Sequence, residues 1–279
     1  MRYILHYSGE VPKYAHSCIE AIKLVDKNSH IFLCGNKNPN IENVNFININ
    51  DLSDTFIKEI DELGYFKNEE NPLWETSLKR IFYLYNAAKD LKVDEFVHFD
   101  IDVLIYKPFS DIENLFHKNK LNITPANEHF LIFGYSYING IENYKKICEK
   151  VYEIVGNSKH YEKKYYNNTK LNEMVMLNIA YIENHKMFNI LNTIPQDNSN
   201  TIFDGISYGQ YLSGVDGKRF SRKTINSSHF AGREMINQGY RPYFKNNKPE
   251  IKLKSKKIEI ANLHVHKKNL SSFMPREYE

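Results

Sequence analysis

Between Glu95 and Tyr106 the chain holds two apolar stretches, Phe96-Val97-His98-Phe99 and Val103-Leu104-Ile105-Tyr106, separated only by Asp100-Ile101-Asp102. Each stretch is strand-length and needs sheet neighbours to satisfy its backbone. Carboxylates one residue apart on an extended chain point to the same side. Holding such a pair at the end of a buried strand is costly unless a cation compensates it. A divalent metal does so, and carboxylate oxygens suit Mn2+ and Mg2+. A metal held there can neutralise a departing diphosphate as a Lewis acid. The same three residues can also serve as a turn acid and a cap, so their context decides.

That context is an alternation of strands and helices. Arg2 to Tyr7 reads as a strand ending in Ser8-Gly9, and Ala15, Cys18, Ile19, Ile22 and Val25 then recur at helical spacing. His30 to Cys34 is a second strand stopped by Gly35-Asn36, and Asn45 to Ile49 a third. Trp74 to Leu91 is a helix with Trp74, Leu78, Ile81, Tyr85 and Ala88 in one stripe. The order predicts a parallel α/β sheet with ligands beyond the carboxyl ends of its strands. Strands follow at Leu121 to Pro125 and Phe130 to Phe133, and helices at Glu142 to Val155 and Leu171 to Ile182. The polar stretch 157–168 reads as a mobile loop. Beyond Asn184, turns and short strands are expected until Lys256 to Leu263 delivers His264-Val265-His266-Lys267-Lys268. No linker or repeat interrupts the chain, so residues 1–279 read as a single domain.

The 279 residues are 42% hydrophobic and 25% charged, ordinary for a soluble globular protein able to bury a sizeable core. A net charge of +3 is too small to argue for nucleic acid as a partner. Lys252, Lys254, Lys256 and Lys257 alternate with Ile251, Leu253 and Ile258, as on a strand with one solvated face; the rival is contact with an anionic membrane or an acceptor. No apolar run is long enough to cross a bilayer and no signal-peptide pattern opens the chain, which points to a soluble cytoplasmic protein. Cys18, Cys34 and Cys148 lie far apart without metal-ligand spacing and read as buried thiols in a reducing compartment. The 20 Tyr and 17 Phe suit sugar contacts, and equally a plain core.

Trp74-x-x-Ser77-x-x-Arg80, followed by Glu95-Phe96-Val97-His98-Phe99-Asp100-Ile101-Asp102-Val103-Leu104-Ile105-Tyr106-Lys107-Pro108, resembles the centre of a GT-A glycosyltransferase. The resemblance implies a Rossmann-like, mostly parallel sheet flanked by helices. It also implies a nucleotide-sugar donor such as a UDP-sugar, with Mn2+ or Mg2+ as cofactor. Residues 1–108 would then form the nucleotide-sugar half, and 109–279 the acceptor-binding and catalytic half. Asp102 would ligate the metal directly, while Asp100 would meet the donor or reach the metal through water. Such enzymes also supply a late histidine to the metal and a lysine to the phosphates. His264 and His266 are the first candidates, with Lys267 or Lys268 beside them; His229, in His229-Phe230-Ala231-Gly232, ranks behind because no Lys-Pro-Trp follows it.

Tyr7, Ser8 and Gly9 are placed to meet base and ribose, with Gly9 permitting close backbone approach. Arg80 can reach base or diphosphate, or simply solvate its helix. Glu173 and Asp204 are the candidate catalytic carboxylates for a glycan or other hydroxyl acceptor. Glu173 can instead merely favour a helix N-terminus. Two other readings stay open. Phe99-Asp100-Ile101-Asp102-Val103-Leu104 also resembles the opening of a haloacid dehalogenase-type phosphatase, where the first Asp is the nucleophile, although that motif normally lies near the chain start. A non-catalytic carbohydrate-binding protein is the other, disfavoured because an unused buried acid pair would destabilise the fold.

Overall fold

A computed structural model describes residues 1–52, 55–67, 71–215 and 224–278. The chain opens β1 (Arg2–Tyr7), α1 (Tyr14–Val25), β2 (His30–Gly35), β3 (Asn45–Asn48), α2 (Thr55–Leu63), α3 (Leu73–Asp90). It continues β4 (Glu95–His98), β5 (Val103–Ile105), α4 (Phe109–Ile112), β6 (Leu121–Pro125), β7 (Leu131–Asn139), α5 (Ile141–Gly156), α6 (Ser158–Tyr165), α7 (Glu173–Glu183). The last part runs β8 (Phe188–Ile190), β9 (Thr201–Ile202), α8 (Ser207–Ser213), α9 (Phe230–Asn237), β10 (Pro242–Lys245), β11 (Lys248–Leu253), β12 (Lys256–Ile260), β13 (Asn262–His264).

The central sheet has seven strands in the order β3-β2-β1-β4-β7-β6-β8. The first four are parallel; β7 runs antiparallel to both β4 and β6, and β8 is parallel to β6. This is the mostly parallel α/β sheet flanked by helices that the sequence predicts. The interior strands are apolar on both faces, as strands covered by helices on two sides must be. On β1, Tyr3 and Leu5 enter the core that holds Cys18, Ile19 and Ile22 of α1. Ile4, between them, points the other way, into the core of Leu78, Ile81 and Phe82 from α3 and Ile147 and Val151 from α5. On β4, Val97 and Phe96 divide in the same manner. The sheet is thereby clamped from two sides, and its β1 and β4 ends open onto one cleft.

Several local expectations are corrected. Residues 158–165 form α6 rather than a loop, because Tyr161 and Glu162 are buried and the Tyr161 hydroxyl donates to Glu153 (2.6 Å). Helices α8 and α9 occupy a stretch read as turns and strands; both are under three turns long, too short for apolar spacing to announce them. The lysine-rich alternation is a hairpin, β11 and β12, folded at Lys254, whose φ is 56°. The three cysteines are buried free thiols, as expected. Among the described residues no helix is long and apolar enough to cross a membrane.

A second element of order matters for the cleft. β5 leaves the central sheet and pairs antiparallel with β13, matching Val103 with His264 and Ile105 with Asn262. Asn262 is wholly buried; its amide donates to the Gly134 (3.1 Å) and Asp204 (2.8 Å) carbonyls, and its oxygen accepts the Asp204 N–H (3.1 Å). α8 lies against β13 so closely that a Cβ on Gly209 would sit 1.9 Å from the His264 carbonyl oxygen. Gly209→Ala should therefore force helix and strand apart and lower unfolding stability by about 1–3 kcal/mol, read by urea denaturation.

Candidate active site

The acid pair sits in a turn rather than on an extended strand. β4 stops at His98, the Asp100 N–H donates to the Phe133 carbonyl (3.0 Å), and the Val103 N–H closes back onto the Asp100 carbonyl (3.0 Å). The chain must turn there because β5 has a different partner from β4. Ladder pairing with β13 then sets His264 opposite Val103, and the Val265 N–H donates to the Asp102 carbonyl (2.8 Å).

The result is a cluster in which one ligand atom each from Asp100, Asp102 and His264 lie within 4.8 Å of one another. His264 Nε2 is 3.1 Å from Asp102 Oδ1 and 4.0 Å from Asp100 Oδ2. Its Nδ1 lies 2.9 Å from the Gly205 carbonyl oxygen, so Nδ1–H donates there and Nε2 is aimed at the acids. Two carboxylates and an imidazole held by its far nitrogen form a donor set that fits a divalent cation. Without an ion, protons and ammonium balance the charge. Burial alone would lower the His264 pKa, but Asp102 and Asp100 outweigh it and raise it to about 9. Burial likewise opposes ionisation of Asp102, yet His264 and Lys268 hold its carboxyl well below the usual carboxylate range. The Lys268 ammonium bonds Asp102 directly and faces the Tyr14 ring at 5.7 Å.

On the other side of the pair, Arg80 bonds Asp100 through one guanidinium nitrogen and Glu173 Oε1 through the other (2.9 Å). It also lies 4.9 Å over the Phe133 ring. Burial opposes its charge, but the two carboxylates more than restore it and raise its pKa further. Glu173 opens α7, where Asn172 caps the helix by accepting the Val175 N–H (3.1 Å). Its carboxyl is only 3% exposed, and burial raises its pKa to about 7 despite Arg80, with Asp100 adding to the rise. One guanidinium shared by two carboxylates cannot fully compensate both.

These groups face a cavity of about 630 Å³. Tyr7, Ser8, Arg80, Asp100, Asp102, Glu173, His264 and His266 all line it, as do Trp74 and Lys268. Gly9 does not: its φ of 101° turns the chain away, and its N–H donates to Asn36 Oδ1 (2.7 Å). Lys267 is exposed and outside the cavity, whereas Lys268 points in, because Lys268 N–H closes a turn onto the Val265 carbonyl (2.8 Å) and takes φ 62°. The same turning puts the His266 ring 6.5 Å from that of His264 and outside the three-ligand cluster. An extended chain would have aimed both imidazoles alike.

Asp204, the second candidate carboxylate, lies outside the cavity that Glu173 lines. It is 1% exposed and does not line the cavity; its carboxylate accepts N–H bonds from Tyr208 (3.0 Å), Gly209 (2.8 Å) and His264 (3.1 Å). It thus caps α8 and pins β13. His229 is also elsewhere, with Nδ1 beside Ser207 Oγ (3.2 Å) and Nε2 beside the Asn226 amide (3.2 Å). His6 was not singled out by sequence, yet it lines the cavity, stacked on Tyr83 at 5.4 Å. Burial and then Arg80 lower its pKa to about 3, so it stays neutral. Among the described residues, the acid pair is joined in this cluster by a histidine rather than by further acids.

No protein-family model matches this chain, and a search of curated proteins finds no match. Among solved structures, the chain is similar to mouse xyloside xylosyltransferase 1 in its apo form, with a TM-score of 0.48 and 10% identity over 72% of this chain and 87% of that one. The glycosyltransferase GlyE of Streptococcus pneumoniae gives a TM-score of 0.42 and 11% identity, covering 68% of this chain but only 44% of its own length. The galactosyltransferase LgtC in complex with donor and acceptor sugar analogs gives 0.43 and 11%, covering 69% of this chain and 74% of that one. Likeness this distant does not say what the present chain binds or transfers, so a reading of its chemistry has to rest on the site.

Asp204→Ala should cost about 1–3 kcal/mol in urea unfolding, because three buried N–H donors lose their acceptor. Glu173 gives a pH signature. Its folded pKa of about 7 lies above the ordinary 4.5, so its contribution is full below pH 4.5 and is lost as pH rises through 7. Glu173→Gln should flatten the fall in thermal midpoint between pH 5 and 8; an unchanged slope would place the ionisation elsewhere.

Proposed function

We propose that this protein is a metal-dependent glycosyltransferase that moves a hexose from a UDP-sugar to a glycan or other hydroxyl acceptor. The observation that carries the reading is the Asp100–Asp102–His264 cluster at the floor of the cavity. Asp102 and His264 would hold Mn2+, or Mg2+, directly, with Asp100 adding a ligand or facing the donor. When bound, the cation supplies Lewis-acid neutralisation of the diphosphate that departs.

The chain's own groups perform the rest. Lys268, already inside the cavity, is placed to add positive charge at the leaving diphosphate. Tyr7 and Ser8, which line the cavity at the carboxyl end of β1, would meet base and ribose, with residues 1–108 as the donor side. Arg80 keeps Asp100 and Glu173 in fixed orientation. Glu173, near neutrality in its pKa, can hold or release a proton on the acceptor side of the acid pair. The later half contributes Glu173, His264 and Lys268, which fits an acceptor-binding and catalytic role for 109–279. Three buried free thiols support a reducing compartment such as the cytoplasm.

The test is release of free UDP from UDP-glucose or UDP-galactose with Mn2+. Release is expected to fall by about 100-fold or more in Asp102→Ala, and calorimetry should show Mn2+ binding lost in both Asp102→Ala and His264→Ala. Release that survives Asp102→Ala, or phosphate liberated from a simple phosphomonoester without nucleotide, would overturn the reading.

A further inference from the structure

The contacts around the acid pair run in a definite order. Tyr14 faces Lys268, Lys268 bonds Asp102, Asp102 neighbours Asp100 through His264, and Asp100 joins Glu173 through Arg80. With the diphosphate at Lys268, the end of the cavity beyond Arg80 and Glu173 is left for the acceptor. That end is walled by the first two turns of α3, whose Leu73, Thr76, Ser77 and Arg80 follow the i, i+3, i+4, i+7 spacing of one helical stripe.

Trp74, the only tryptophan in the chain, stands on that wall. It lies six positions before Arg80, about 9 Å along a helix axis. It packs partly against the core and shows the remainder to the cavity. Leu73 beside it is 53% exposed, and Met174, next to Glu173, lines the same cavity. Leu73, Trp74 and Met174 thus give this part of the cavity lining an apolar surface that a ligand's apolar face can cover. The hydroxyls of Thr76 and Ser77 lie between these apolar groups and Arg80. An apolar plate beside hydroxyls matches a pyranose ring, which has an apolar C–H face and a hydroxyl edge.

We propose that Trp74 is the stacking platform for an acceptor sugar, so that the acceptor is a glycan whose ring, next to the reacting one, lies on Trp74. The inference rests on the glycosyltransferase reading for its orientation, but its primary readout, sugar binding to the protein alone, needs neither nucleotide nor metal. Because Trp74 is the single tryptophan, its emission reports on this wall alone. Titration of the wild-type protein with cellobiose, lactose, maltose and chitobiose should give, for at least one of them, a saturable blue shift that saturating UDP with Mn2+ does not abolish. Saturation-transfer NMR should show that sugar bound within about threefold as well by Trp74→Phe and at least about tenfold more weakly by Trp74→Ala.

No shift with any of the four, or equal binding by Trp74→Ala, overturns the platform. So does a shift produced by UDP alone that displaces the sugar, since Trp74 would then serve the nucleobase. UDP release without a sugar-induced shift would leave transfer standing and remove the platform. A sugar-induced shift without UDP release would do the reverse.

Discussion

The site depends on three residue pairs, those joining β5 to β13. By leaving the central sheet after the acid pair, the chain exposes a strand that a segment some 160 positions later must cover. That pairing carries His264 to the acids and fixes where the backbone turns away afterwards. Asn262 and Asp204 then lock the arrangement through bonds to buried backbone groups rather than to solvent. Since such groups cost stability when left unpaired, position and fold are secured by the same bonds.

Electrostatics explains the rest. Three carboxylates, those of Asp100, Asp102 and Glu173, share a cavity with the basic side chains of Arg80 and Lys268. His264 carries the remaining positive charge when no other cation is present, which is why its pKa rises while that of Asp102 falls. A divalent ion would take over the work now done by the imidazolium and Lys268, freeing Lys268 for an anionic ligand. Glu173 sits at the far end of this series, sharing Arg80 with Asp100, and burial raises its pKa to about 7.

Much of this was legible in residue order. The strand-helix alternation and the apolar runs around Asp100 and Asp102 fix the sheet, because strands buried on both faces leave an unmistakable apolar record. Arg80 was legible as a helix cation near the site but not as a link between Asp100 and Glu173. That role depends on the distance between α3 and α7, which no local pattern encodes. Asp204 and Glu173 could not be told apart for the same reason: a carboxylate bound by backbone N–H groups and one that faces a cavity look alike in sequence. Lys267 and Lys268 were separable only by the turn at Val265, which inverts the facing of neighbours.

By itself, then, the sequence determined a mostly parallel α/β sheet and the acid pair at the carboxyl end of a buried strand. It did so because burial and periodicity are local properties that each segment must satisfy. Tertiary structure alone decided which histidine joins the acids, which lysine enters, and that Glu173 belongs to the cavity while Asp204 belongs to the frame. Those outcomes depend on pairing between segments far apart in the chain, where a single turn or one strand's change of partner redirects every side chain that follows.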